Sequence, residues 1–158
     1  MLRQAEVHLN AQLTSAIAAD QRAYTFAGLS VASVVLLLGG SYRAISSDPP
    51  DLRVAALAFL VGMGLFVASW MAVLSARSIG FDFAGSRPGV WVDDIVEGKG
   101  LARSLAEQCE HYDSAITSNR ERVERNGRLF NQSVNVALFA VGSGGLIFLW
   151  WLRAPLGL

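Results

Sequence analysis

A chain of 158 residues with 53% hydrophobic and 16% charged side chains is too apolar for an ordinary soluble domain, where about a quarter of residues are charged. Thirteen basic residues cancel thirteen acidic ones, which removes the net positive field expected of a protein that binds a nucleic acid polymer. The single cysteine, Cys109, excludes an internal disulfide framework, and no Cys/His spacing suits a metal centre.

Residues 1–22 read as an amphipathic helix with an apolar stripe at Leu9, Leu13, Ala16 and Ile17. Its end, "IAADQRAYTFAGLS", sets Asp20 and Arg22 at the lip of an uncharged run. They are expected to sit as interfacial charges, with Arg77 or Arg128 as possible partners of Asp20. The first predicted span covers 23–45 and meets no charge until Arg43. It is too long for the apolar core of a signal peptide, and a mostly polar segment precedes it. The ends of the chain carry no myristoylation or prenylation pattern, so spanning is expected rather than lipid anchoring.

"SSDPPD" closes a short turn at 46–53, because its two prolines cannot continue a helix. A second uncharged run at 54–76 and a third at 133–152 complete the set. Each run is about twenty residues, the length a helix needs to cross about 30 Å of hydrocarbon.

Three spans put the N-terminus and the connection 77–132 on one side. That side holds Arg3, Arg22, Arg77, Arg87, Lys99, Arg103, Arg120, Arg122, Arg125 and Arg128. The other holds Arg43, Arg53 and Arg153. The positive-inside bias therefore predicts a cytoplasmic N-terminus and an extracytoplasmic tail at 153–158, after Trp150 and Trp151.

The connection divides into two parts. Residues 77–100 are rich in glycine, with Phe81, Phe83 and Trp91, and read as irregular with one short helix after Pro88. The three aromatics are expected at the membrane surface or against neighbouring helices. From 101 to 132 the pattern is helical, with Arg120/Glu124, Glu121/Arg125 and Glu124/Arg128 spaced four apart. Nothing breaks this helix before the third span, so one continuous helix is predicted. Leu105, Cys109, Tyr112, Ile116, Asn119, Val123, Asn126 and Phe130 follow heptad spacing along it. Such a seam could face the N-terminal helix or the same helix of another copy. Asparagines at its core positions would set register and oligomeric state, or the seam would fray there and be wet.

Within the spans, Gly64, Ala68, Ala72 and Ala76 share one face, as do Ala140 and Gly144, and as do Gly28, Ala32 and Gly40. Small faces let helix backbones approach closely, within a chain or between copies. No ionisable residue lies deep in a span, which argues against a proton relay, voltage sensor or carrier.

Two clusters carry residue types capable of chemistry. Glu107, Cys109, Glu110 and His111 lie together but lack further ligands at defined spacing, so a solvated helix face is expected. Asp93, Asp94 and Glu97 could take a cation, form an acid/base pair or cap a short helix. "GSGG" at 142–145 has neither the lysine nor the preceding strand of a phosphate loop. No catalytic constellation is present, and no enzyme or cofactor is expected.

One sparse pattern extends over most of the chain. Asp20-Gln21-Arg22-Ala23 ends the amphipathic helix, a span pair follows, then Gly80-Phe81-Asp82-Phe83, then Leu105-Ala106-Glu107-Gln108 on a helix running to Phe130 and the last span. This layout resembles the small membrane-spanning effectors of bacterial anti-phage signalling, of the Pycsar and CBASS types. The resemblance implies a protein that oligomerises or rearranges in the inner membrane on a nucleotide signal and depolarises or ruptures it. No separate nucleotide-binding domain is present, so sensing would come from a partner protein or from a site built between subunits. Arg120, Arg122, Arg125 and Arg128 are the candidate contacts for an anionic ligand, beside the plainer role of a positive-inside cluster.

The sequence thus predicts an all-α integral membrane protein: three transmembrane helices, an N-terminal cytoplasmic amphipathic helix, and a long cytoplasmic helix continuous with the third span. The expected setting is the bacterial inner membrane. The expected partners are the bilayer, further copies of the chain, and a cytoplasmic sensor protein or cyclic nucleotide. The competing expectation is a non-catalytic structural or accessory subunit of a larger membrane complex.

Overall fold

The computed structural model describes residues 2–77, 80–85, 92 and 94–153. Three long helices make the fold: α1 (Leu2–Ile45), α2 (Leu52–Ser75) and α3 (Leu101–Arg153). No strand occurs among the described residues. Each helix is long and apolar enough to cross a membrane. A further helical turn at 94–96 lies within the stretch read as irregular. Pro88, Arg87, Trp91 and Asp93 fall outside the described residues, as does most of the tail expected at 153–158.

Helix α1 passes Asp20 and Arg22 without interruption, because no glycine or proline occurs before Gly28. Helix α2 starts where Asp51 caps it, its side chain accepting the Val54 N–H at 3.1 Å. The turn before it is closed by the Asp51 N–H, which donates to the Ala44 carbonyl at 3.0 Å. Helix α3 is continuous from Leu101 into the third apolar run, as expected.

The chain divides into two compact units. One comprises Met1–Ala19 and Ser78–Arg125; the other comprises Asp20–Arg77 and Asn126–Leu158. The second unit holds the apolar runs. There α1 and α2 run antiparallel: Ser41 Oγ donates to the Ala55 carbonyl at 2.9 Å, and Ser69 Oγ donates to the Ala27 carbonyl at 3.2 Å. Val34, Leu65, Ala68 and Ala137 form its buried centre, with Phe26, Leu37, Val61 and Val136 packed around them. Phe26 and Phe130 meet edge to face, with ring centroids 5.8 Å apart.

Several hydroxyls in the apolar runs bond to helix carbonyls. Ser33 and Ser143 donate back to the carbonyls of Leu29 and Phe139, four residues earlier in the helix. The outer surface of this unit stays apolar, with Leu36 at 76% and Phe139 at 78% exposed. Trp70, Leu60, Leu146 and Trp150 extend that apolar exterior. A surface of this kind is what a lipid-facing bundle presents.

The small residues explain how closely α2 and α3 meet. Ala68 and Ala72 are fully buried. At Gly64 an added Cβ would lie 2.5 Å from the Cβ of Ala140. At Gly144 it would collide with a methyl of Val61. Gly28 and Gly40 are different: both are exposed, and a Cβ there would meet nothing within 4 Å. Among the described residues, nothing packs on the α1 small face at Gly28 and Gly40.

Candidate functional site

The first unit is a pair of parallel helical segments with a strap of backbone laid against it. Leu9 of α1 is buried with Tyr112 and Ala115 of α3, and Leu2, Ala5, Ala84 and Ile116 pack on that cluster. Gln12 Nε2 donates to the Ile116 carbonyl at 3.2 Å, which fixes the register of the two segments. Leu9 of the predicted apolar stripe is thus at the centre, Leu13 and Ala16 are half-buried, and Ile17 is exposed. The heptad seam meets the N-terminal helix of the same chain at Tyr112 and Ile116.

The strap is 80–85, "GFDFAG", with positive φ at both ends: +38° at Gly80 and +104° at Gly85. Those angles suit glycine and strain most other residues. Three side chains of α3 hold the strap by its main chain. The Asp82 N–H donates to Asn119 Oδ1 at 3.0 Å, and Asn119 Nδ2 donates to the Asp82 carbonyl at 2.9 Å. The Gly85 N–H donates to the Tyr112 hydroxyl at 3.2 Å, and that hydroxyl donates to Glu6 Oε1 at 3.3 Å. Arg122 donates to the Gly80 carbonyl and reaches Asp82 Oδ2 at 3.4 Å.

Asn119 is wholly buried, so its amide has no water to fall back on. The strap backbone satisfies one acceptor and one donor of that amide at once. Two other buried amide atoms, Gln12 Oε1 and Gln108 Nε2, have no hydrogen-bond partner among the described residues.

A second set of contacts fastens the residues just before α3. Lys99 Nζ bridges Asp94 Oδ1 at 3.2 Å and Glu107 Oε2 at 2.7 Å, and Arg103 adds a 3.4 Å contact to Glu107. Hydrogen bonds from Ser104 and then Lys99 hold the Asp94 carboxyl below its ordinary range. The Lys99 bond does the same for Glu107, while Glu107 and then Asp94 raise the pKa of Lys99. Asp94 and Glu107, each singled out above within an acidic or mixed cluster, are thus engaged with lysine. No group of three metal-ligating side chains occurs among the described residues. Cys109 and His111 are exposed.

The arginine cluster is divided by the structure. Arg120 pairs with Glu124 at 2.9 Å, as the four-residue spacing predicts. Arg122 turns to the strap. Arg125 and Arg128 are exposed and make no ion pair within 4 Å among the described residues. Of the remaining seam positions, Leu105, Val123, Asn126 and Phe130 are half-buried and Cys109 is exposed.

Asp20 and Arg22 are not joined to one another, nor is Asp20 joined to Arg77 or Arg128. Residues two apart on a helix point to different sides, which keeps the dyad from closing on itself. Partial burial raises the Asp20 carboxyl above its ordinary value.

Sequence reasoning named Asn119, Tyr112 and Arg122, but as seam and ligand residues. It missed Asp82, Gly85 and Glu6 as their partners. The one available signal was the glycine pair bracketing "FDFA". Comparison with protein-family models, curated proteins and solved structures finds no match.

Proposed function

We propose that the chain is an oligomeric, multi-pass protein of the bacterial inner membrane that acts without catalysis as an effector in anti-phage defence. On a cytoplasmic signal it perturbs membrane integrity or potential. The observation that carries this reading is the coexistence of two units of opposite character. One has an apolar exterior and helices of membrane-crossing length. The other has a strap held by a handful of side-chain bonds to its backbone. Such bonds are each worth about 1 kcal/mol net. A partner present at about a thousand times its Kd supplies about 4 kcal/mol of linkage, enough to compete with several of them. The strap is therefore the element that a sensor protein or a nucleotide signal displaces, with Asn119 and Arg122 the groups it frees. The resemblance to Pycsar- and CBASS-type effectors agrees with this assignment.

The test is inducible expression with a membrane-potential dye. Wild type depolarises cells only when the defence signal is present. Asn119→Ala combined with Arg122→Gln loosens the strap and depolarises them without it. Silence of both proteins, with the signal supplied, sinks the effector reading.

The accessory-subunit reading draws on a separate observation, the α1 face at Gly28, Ala32 and Gly40 that stays exposed among the described residues. Purification from native membranes discriminates the two. Recovery as a homo-oligomer supports the effector, and recovery in fixed stoichiometry with unrelated subunits supports the accessory role.

A further inference from the structure

Where the N-terminus of α2 meets the C-terminus of α3, the second unit has a cleft of about 230 Å³. Asp51, Arg53, Val54, Phe148, Trp151 and Leu152 line it. Its chemistry is divided between a carboxylate, a guanidinium, an indole and three apolar side chains. The carboxylate is fixed in place, since Asp51 is the cap of α2 and accepts the Val54 N–H. Arg53 is exposed and has no acidic partner within 4 Å among the described residues. Val54, Phe148 and Leu152 are exposed apolar side chains beside it.

These groups match the parts of a phospholipid one by one. A phosphodiester presents two free oxygens, which a guanidinium fork engages better than any other side chain. An acyl chain gains by covering an apolar wall. A carboxylate at the same cleft repels a headgroup that carries only negative charge and attracts one that also carries an ammonium. An indole adds attraction for that cation. An ammonium with N–H groups can donate to Asp51, whose second oxygen is not engaged by the helix cap.

We infer that the cleft binds a zwitterionic glycerophospholipid of the phosphoethanolamine class. The phosphodiester sits at Arg53, the ammonium lies toward Asp51 and Trp151, and an acyl chain runs along Val54, Phe148 and Leu152. This inference rests on the reading of the chain as membrane-spanning.

The experiment uses the full chain, purified in mild detergent, stripped of lipid and examined by native mass spectrometry. Short-chain phosphatidylethanolamine and phosphatidylglycerol are added at equal concentration, with inorganic phosphate as a competitor. Wild type retains the ethanolamine lipid about fivefold over the glycerol lipid, and phosphate does not displace it. Arg53→Gln lowers its retention about tenfold. Asp51→Asn keeps a good helix cap, so the fold is preserved, but it abolishes the preference between the two lipids. Equal retention of both lipids by wild type overturns the inference. So does undiminished binding in Arg53→Gln, or displacement by phosphate alone. Carbonate washing of native membranes separates the two readings. Release of the chain overturns spanning and the lipid site together, whereas firm retention without lipid preference overturns the site alone.

Discussion

Asn119 and Asp82 are joined by two hydrogen bonds, at 3.0 and 2.9 Å, in which a buried carboxamide takes both the N–H and the carbonyl of one strap residue. The pairing resembles a single rung of a β-ladder with a side chain in place of the second strand. It gives Asn119 a partner inside its own chain. Replacing the residue therefore leaves an unsatisfied backbone donor and acceptor behind. Asn119→Ala is expected to destabilise the first unit by about 1–3 kcal/mol. Asn119→Val has the same effect, although an apolar seam residue would favour helix pairing in the abstract. Hydrogen exchange of the Asp82 amide, alongside thermal unfolding in detergent, reads the loss directly. Unchanged protection at Asp82 would show that the strap is held elsewhere.

The close approach of α2 and α3 leaves no room for a side chain at Gly64. Gly64→Ala forces the helices apart at Ala140, because both colliding atoms are Cβ atoms anchored to backbone. The expected cost is about 1–3 kcal/mol, even though alanine is the better helix former by about 1 kcal/mol. At Gly144 the obstacle is a side-chain methyl of Val61, so Gly144→Ala is rescued when combined with Val61→Ala. Melting temperatures of the two single variants and the double variant complete the cycle.

The Lys99 bridge gives the first unit a defined dependence on pH. Asp94 and Glu107 have folded values below their ordinary 3.8 and 4.5. Their contribution is complete above those ordinary values and is lost as pH falls through the lower folded ones. Lys99 has a folded value above 10.5. Its contribution is complete below 10.5 and is lost as pH rises through the raised value. Stability is thus expected to be flat through neutrality with respect to this bridge, and Lys99→Met should weaken the acid-side slope. Unfolding midpoints measured from pH 2 to 7 in both proteins make the comparison.

Asp20 behaves in the opposite sense. Burial raises its carboxyl, so the ionised form is a small liability above the folded value and is relieved as pH falls through it. Asp20→Asn is expected to be neutral or slightly stabilising in the isolated chain. If the chain is oligomeric in detergent and the same variant dissociates it, as read by light scattering, Asp20 has a cationic partner on another copy.

Much of the architecture was legible because its signals are one-dimensional. Long uncharged runs and the absence of breakers predict α1, α2 and the full length of α3. The division into units was less legible. Absence of charge puts the start of the third span at residue 133, whereas the second unit already includes Asn126, and Phe130 packs on Phe26. Arginines at 120–128 kept that stretch polar in composition while its inner face was already packed. The strap was marked only by its bracketing glycines, and its contacts were not legible. Asn119 recognises the main chain of Asp82, and every residue but proline offers that same pair of groups. A contact made to backbone leaves its mark only on one partner, so Asn119 stood out while the strap read as irregular. Gly64 and Gly144 were found as members of small faces, and their pairing with Ala140 and Val61 needed the helix register.

The parallel pairing of the first unit also imposes an order in time. Gln12 bonds to Ile116, a separation of 104 residues, and Leu9 is buried in a cluster with Tyr112 and Ala115. At about 5–20 residues per second, the apolar stripe of the first helical segment emerges from the ribosome roughly 5–20 s before its partner exists. Throughout that interval Leu9 lacks its neighbours on α3. The length of the delay is set by everything encoded between the two segments, so lengthening the connection prolongs the exposure even where the finished fold tolerates the insertion.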